Sequence, residues 1–297
     1  MFFLKKTKTK GLYYILAGRD SVVESVYSFY KEYKFSEKYP LYIFYFNQNL
    51  SSDVIERLKL INTKIHLKSI KTKIPSHIKM DELFYNRKYL GYVNSSFKKN
   101  RIEFLHMCDF LFNIFNSDLF QDIDFALRWD DDGLFRQPVT KDYFKILSKS
   151  GKKALTGKLN AKYEIHHFET RINLFKTLIE YLDQYSIKPK CDLIRNMIDK
   201  FENSETLFIS EYIFHKTKFM SDFNVYNMSI FRNNHWQNWN KHINESGGIY
   251  KYRWGENELI TLFILIHYGN TITDLELWPH TYDPKGADSE SIFKKEF

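Results

Sequence analysis

The sequence predicts an α/β fold built on parallel strands, and two observations carry that expectation. Short, apolar, β-branched or aromatic runs alternate with amphipathic segments through the first seventy residues, and turn residues punctuate each change. Strand–helix–strand–helix–strand order of this kind gives a parallel sheet covered by helices, with ligands bound at the carboxyl ends of the strands. The 297 residues are 43% hydrophobic and 27% charged, enough apolar surface to build a core, which excludes an intrinsically disordered chain.

The elements follow in order. Residues 11–18 (GLYYILAG) read as a buried strand closed by Gly18. Ser21-Val22-Val23-Glu24 has the pattern of a capping box opening a helix whose apolar face includes Val22, Val23, Val26, Tyr27 and Tyr30. LYIFYF (41–46) is a second strand after Pro40. Ser52 is placed to cap the next helix, with Val54, Ile55, Leu58 and Leu60 inward, and Thr63 to Leu67 alternates as a third strand.

Residues 68–100 are basic and turn-rich, and 101–117 form an apolar helix around His106, Met107 and Cys108. DIDFALRW (122–129) is a strand that ends abruptly in Asp130-Asp131-Asp132-Gly133. One or two helices fill 170–203, and a glycine turn at 247–248 leads into an apolar helix reaching residue 266.

The net charge of +8 favours phosphate-bearing partners without choosing among them. Lysines spread along the chain with no recognition motif argue against nucleic acid. Cys108 and Cys191 match no metal spacing; one disulfide is arithmetically possible, and the reading adopted is two reduced, buried thiols. The longest uncharged run, 259–273, is too short for a membrane span, so the expectation is a soluble, cytoplasmic protein with at most peripheral membrane contact.

Three stretches could carry chemistry. Adjacent carboxylates repel, so Asp130 and Asp132 after a buried strand suggest a shared Mg²⁺ or Mn²⁺ with oxygen ligands; the plainer alternative is an acidic turn in solvent. Arg253, Trp254 and Glu256, after the glycine pair, offer a stacking face and hydrogen bonds to a polar ligand, or else a loop stapled to the core by aromatics. His280, in Trp278-Pro279-His280, taken alone is a packing or surface histidine.

Several of these motifs together resemble glycosyltransferase family 15, the fungal α-1,2-mannosyltransferases. Ser229-Ile230-Phe231-Arg232, then Ser246-Gly247-Gly248-Ile249-Tyr250-Lys251-Tyr252-Arg253-Trp254-Gly255-Glu256, then Asp274 to His280, resemble its signature F-W-R-S…G-G-F-Y-Y-E-R-W-G-D…H. Gly18-Arg19-Asp20 with Val23-Glu24-Ser25 is similar to its V-R-N…V-E-S. Met107-Cys108-Asp109-Phe110 is similar to M-C-R-F, and Arg128-Trp129-Asp130 to W-R-V-E-P. The resemblance is collinear over about residues 12–282.

The resemblance implies a GT-A-type nucleotide-sugar transferase fold, a Rossmann-like mixed sheet flanked by helices. It further implies a single domain over 1–283, with a nucleotide-binding half at about 11–133, an acceptor and catalytic half at about 134–283, and a polar tail at 284–297. It implies a manganese ion (or Mg²⁺), GDP-mannose as donor, and a glycan or glycolipid hydroxyl as acceptor. The family's metal ligands fall on Asp130 and His280, with Asp132 in support. Arg19 falls by the nucleotide and Arg253 and Glu256 near the sugar or acceptor, so that Arg19, Asp130, Arg253 and Trp254 are the expected donor-binding residues and Glu256 joins Asn224 and Asp222 as a catalytic candidate.

There are departures. The glutamate suggested in the family as nucleophile aligns with Asn224, and an amide cannot serve in a double displacement. Phe104 stands where the family has tyrosine, and Asp109 where it has arginine. The resemblance implies retention of configuration; with Asn224 in place of that glutamate the expected route is same-face attack, with Asn224 hydrogen-bonded to sugar or acceptor, and Asp222 is the displaced carboxylate that could serve instead. A UDP-sugar transferase of the same fold, and an inactive nucleotide- or glycan-binding relative, are the alternatives.

Overall fold

A computed structural model of the chain describes residues 9–46, 50–84, 101–160, 172–202, 219–277 and 281–283. The expected first five elements are present: β1 (Gly11–Ala17), α1 (Val22–Glu32), β2 (Leu41–Phe46), α2 (Ser52–Ile61) and β3 (His66–Ile70). After them come α3 (Arg101–Asn113), β4 (Phe125–Arg128), β5 (Leu134–Phe135), α4 (Tyr143–Ser150), β6 (Ala154–Thr156) and β7 (Leu159–Asn160). The remainder comprises α5 (Leu174–Gln184), α6 (Asp192–Glu202), β8 (Phe219–Met220), β9 (Asn224–Asn227), α7 (Asn234–Ser246), α8 (Gly248–Tyr252), α9 (Glu256–Tyr268), β10 (Ile272–Asp274) and β11 (Tyr282–Asp283).

Seven strands form one sheet in the order β10-β6-β9-β4-β1-β2-β3. β1 runs parallel to both β2 and β4, and β2 runs parallel to β3. β9 is antiparallel to both β4 and β6, which makes the sheet mixed. Strands from residues 11–128 occupy one side of the sheet and those from 154–274 the other, joined where β4 meets β9.

Helices cover both faces. One face of β1, through Leu12, Tyr14 and Leu16, packs in a core with α3, α5 and the helices from α7 to α9. The other, through Tyr13, Ile15 and Ala17, packs with α1, α2 and α4. This alternation is the period of two that a strand buried on both faces imposes. On the α1 side Phe29 stacks on Trp129 with ring centroids 4.4 Å apart, and on the other side Phe115 stacks on Phe231 at 3.9 Å.

One residue from each strand falls into a continuous cross-sheet row: His66, Tyr42, Tyr14, Arg128, Asn224, Thr156 and Asp274, each the registered partner of the next. Registered partners share a face, so a polar row crosses the otherwise apolar core on the α3 side. In Arg128, Thr156 and Asp274 the row meets the last residue of a strand, and in Asn224 the first residue of the antiparallel one.

Local differences from the sequence reading have physical causes. Ser21 makes no side-chain cap, because its backbone is already helical; Ser25 N–H bonds to Ser21 O instead, and Glu24 turns to Arg57 at 3.2 Å. The cap of α2 is Ser51 rather than Ser52, its hydroxyl accepting from Val54 N–H. Leu60 is 72% exposed, two residues past Leu58 and so on the side of the helix opposite the buried stripe formed by Val54 and Leu58. β3 begins at His66, three residues later than expected, since register with β2 and not burial fixes this edge strand. Phe29 is a buried part of the α1 face that the apolar pattern had not included. Both cysteines are free and buried. Among the described residues no helix is long and apolar enough to cross a membrane.

Candidate active site

The carboxyl ends of β1, β4, β6 and β10 and the start of β9 lie along one edge of the sheet. The chain leaves β1 through Gly18-Arg19 and β4 through Trp129-Asp130, so neighbouring parallel strands deliver an arginine and an acidic turn side by side.

β4 ends at Arg128, and Gly133 N–H bonds to Asp130 O, so the three aspartates stand in a turn where strand alternation no longer applies. Each has its own partner. Asp131 is buried, and its Oδ2 accepts from the backbone amides of Gly18 (2.7 Å) and Arg19 (3.0 Å). Arg19 closes the arrangement with Nη2 3.0 Å from Asp131 Oδ1 and Nη1 2.6 Å from Asp132 Oδ2. Asp130 bonds to Arg128 at 2.5 Å and keeps 29% of its side chain exposed.

Ser25 fastens the turn to α1, its hydroxyl accepting from Trp129 Nε1–H at 3.0 Å and donating to Asp130 O at 3.4 Å. The turn is thus largely interior: Asp131 and Asp132 are 4% and 5% exposed, which overturns the reading of an acidic turn in solvent.

Burial raises the carboxylates. Desolvation pushes Asp131 up to about 6 and Asp132 up to about 7, with Arg19 pulling each down and Asp130 raising both. Asp222, half-buried just before β9, is raised well above the usual carboxylate range by desolvation and then by Asp130. Glu256, at the start of α9, is raised by desolvation against the pull of Arg128, whose Nη1 lies 3.2 Å away.

Arg128, 3% exposed, therefore bridges Asp130 on its own chain segment to Glu256 on α9. Asn224 stands directly opposite it and donates from Nδ2 to Ser221 O (2.6 Å) and Asn257 Oδ1 (3.0 Å). Arg128 and Asn257 complete the site without having been assigned a role from the sequence. Arg128 falls within a quoted motif, whereas Asn257, one residue past Glu256, carries no signal except that adjacency.

Arg19, Asp130, Asp132, Asn224 and Glu256 thus share this edge, with Asp222 electrostatically coupled to Asp130 and Glu256. Arg253 holds its guanidinium 3.9 Å over the Phe104 ring. That cation–π contact uses the ring that replaces the family's tyrosine. Asp109, in the family's arginine position, accepts from Tyr250 OH at 3.2 Å and from Asn113 Nδ2 at 3.0 Å.

Trp254 is corrected. It is fully buried, donates from Nε1 to Ile172 O at 2.9 Å and lies against Gly248, so its ring is a packing element and presents no face to a ligand. His280 and the tail 284–297 lie outside the described residues.

The donor set suits a divalent cation only in part. The ligand chemistry suits a hard ion: carboxylate oxygens crowd the edge, and Asp130 retains exposed surface beside its single guanidinium contact. Among the described residues, however, no group of three or more His, Cys, Asp or Glu side chains converges as a metal site, and Asp132 is turned to Arg19. Asp130 fits as one ligand.

The family model described as glycolipid 2-alpha-mannosyltransferase matches residues 4–270. Among solved structures, core-mannan synthase A (CmsA/Ktr4) from Aspergillus fumigatus in its Mn/GDP form superposes with a TM-score of 0.69 at 11% identity, covering 92% of this chain and 74% of that one. The mannosyltransferase Ktr4p from S. cerevisiae superposes with a TM-score of 0.68 at 16% identity, covering 90% and 69%. Its complex with GDP gives 0.67 at 16%, covering 87% and 67%. No curated protein sequence matches significantly. At these identities the structural likeness establishes the fold, of GT-A type, and the family match extends over most of the chain. The chain belongs to glycosyltransferase family 15 and is a glycosyltransferase.

Proposed function

We propose that the protein transfers mannose from GDP-mannose to a hydroxyl of a glycan or glycolipid with retention of anomeric configuration. The observation that carries this reading is the family match over residues 4–270, read with the edge where Arg19 and the Asp130–Asp132 turn meet Asn224 and Glu256. The GDP-bound structures of Ktr4p and core-mannan synthase A support the choice of nucleotide.

In this reading the nucleotide lies by Arg19 at the end of β1, where ligands of such sheets bind. Asp130 would be one ligand of a divalent ion, Mn²⁺ or Mg²⁺, with His280 and, on release from Arg19, Asp132 as the further ligands that the resemblance assigns; bound there, the ion would supply Lewis-acid stabilisation of the leaving pyrophosphate. Asn224 and Asp222 face the sugar end, Asn224 as a hydrogen-bonding group. The acceptor oxygen attacks on the face from which GDP departs. Desolvation and then Asp130 raise the Asp222 carboxyl well above the usual carboxylate range, which makes it the more basic carboxylate and the candidate to receive the acceptor's proton. Arg253 lies towards the acceptor side.

The test is a panel of nucleotide sugars assayed for transfer and hydrolysis with and without Mn²⁺, on wild type and Asp130→Ala. Metal-dependent turnover of GDP-mannose, lost in the variant, supports the reading. Turnover of a UDP-sugar alone replaces the donor. Mn²⁺-dependent GDP binding with no turnover of any donor identifies an inactive relative, for which Asn224 in place of a carboxylate is the specific observation.

A further inference from the structure

Two polar atoms deep in the site have no hydrogen-bond partner among the described residues: Arg128 Nε, a donor, and Asn224 Oδ1, an acceptor. Their residues are 3% and 0% exposed. Leaving a buried polar group unpaired is costly, and native proteins do so rarely. These two are not scattered. Arg128 and Asn224 are registered partners across the β4–β9 pair, so their side chains share a face, and both reach Asn257 Oδ1, at 3.5 Å from Arg128 Nη1 and 3.0 Å from Asn224 Nδ2.

The remaining bonds of both side chains are committed. The guanidinium holds Asp130 and Glu256, and the amide N–H₂ holds Ser221 O and Asn257. What is left is one buried N–H and one buried carbonyl oxygen, on registered residues where β4 ends and β9 begins.

We propose that Arg128 Nε–H and Asn224 Oδ1 together hold one hydroxyl group of a sugar, which accepts from the arginine and donates to the amide. The matching chemistry is narrow. A phosphate oxygen accepts from Arg128 but has no proton for Asn224. A cation binds Oδ1 but is repelled by the guanidinium. A hydroxyl satisfies both through a single oxygen. The charge-assisted half, from Arg128, is the stronger, and Asn257 and Glu256 fix its direction. Asn224 is in this account a binding and positioning residue that selects for a substrate hydroxyl, and an aliphatic side chain there forfeits that selection. This inference rests on the proposed transferase reading and adds which group of the substrate the two atoms hold. The hydroxyl belongs to the transferred sugar or to the acceptor sugar, and the two arms below separate these sources.

The test compares wild type, Asn224→Leu and Asn224→Asp, with folding checked by thermal unfolding. One arm measures binding of GDP, GDP-mannose and the 2-, 3-, 4- and 6-deoxy sugar analogues of GDP-mannose. The other measures methyl α-mannoside and its deoxy series with GDP present. Expected is a single deoxy analogue, in one arm, that binds wild type about tenfold or more weakly. Asn224→Leu loses about that factor towards the parent compound and nothing further towards that analogue, whereas Asn224→Asp, which keeps an acceptor oxygen, retains the discrimination. GDP binds all three proteins alike.

A flat deoxy series in both arms with GDP-mannose bound overturns this inference alone, and means that water serves the two atoms. So does a tenfold loss of GDP itself in Asn224→Leu, which would assign the site to the ribose. Failure of wild type to bind GDP or GDP-mannose overturns the transferase reading and this inference with it.

Discussion

Asp131 ties the end of β4 to the end of β1: its Oδ2 accepts the Gly18 backbone amide at 2.7 Å, and the same atom takes Arg19 N–H. A buried carboxylate with two backbone donors and a guanidinium on its other oxygen is a structural fastener. It fixes the direction in which Arg19 leaves the strand, and so precedes any contact Arg19 makes with a ligand. Asp131→Ala is expected to lower unfolding free energy by about 1–3 kcal/mol by orphaning those donors. Arg19 loses one of its anchors, so GDP affinity falls as well; urea titration and calorimetry with GDP measure the two effects separately.

Removing Arg128 has a larger expected effect. Its guanidinium is nearly inaccessible and serves Asp130 and Glu256 together. Arg128→Ala leaves carboxylates uncompensated in a desolvated setting, and about 3–5 kcal/mol of stability is expected to go, measured by chemical denaturation. In an Arg128→Ala/Glu256→Gln double variant part of that loss returns, because one of the stranded charges is gone.

Acid sensitivity is expected from His267. Its ring is buried, stacks on His235 at 4.5 Å and bonds through Nε2 to Tyr181 OH at 3.0 Å. Desolvation, with His235 and Lys190 adding to it, lowers its pKa to about 3. The unfolded chain takes up this proton near 6.5 while the native state resists it, so stability falls as pH drops from about 6.5 towards 3. The contribution is at most one proton, about 1.4 kcal/mol per pH unit. Denaturation midpoints between pH 4 and 7 should show a slope about one proton smaller in His267→Gln.

Gly248 should tolerate no side chain. A Cβ there would stand 2.0 Å from the Trp254 ring. Gly248→Ala is expected to cost about 1–3 kcal/mol by overpacking, and Trp254→Leu in the same chain to restore part of it. Thermal unfolding of the three variants decides the matter. Recovery would show directly that Trp254 acts by packing.

The sequence made the framework readable because short apolar runs stood between turn residues, and because Gly18-Arg19 and Asp130 each followed such a run. What it concealed depends on distance along the chain. Nothing near Arg128 announces that β9, almost a hundred residues later, inserts antiparallel beside it and brings Asn224 into register. Nor could neighbouring serines be ranked as caps, since Ser51 and Ser52 differ only in where the backbone becomes helical. Trp254 shows a different limit: the aromatic-rich loop that could have been a ligand platform is equally good material for a core. Its choice was made by Ile172 and Gly248, which local pattern does not reveal.

The seam between β4 and β9 also bears on how the molecule comes into being. Neither stretch of chain owns the site: Arg19 and the aspartate turn come from one, Asn224 and Glu256 from the other. A fragment ending at residue 133 would bare the whole edge of β4 and leave Arg128 without Glu256, Asn224 or Asn257. Such pieces are therefore poor independent units but good candidates for complementation: catalytic competence would return only when both are mixed, and at a rate set by their encounter.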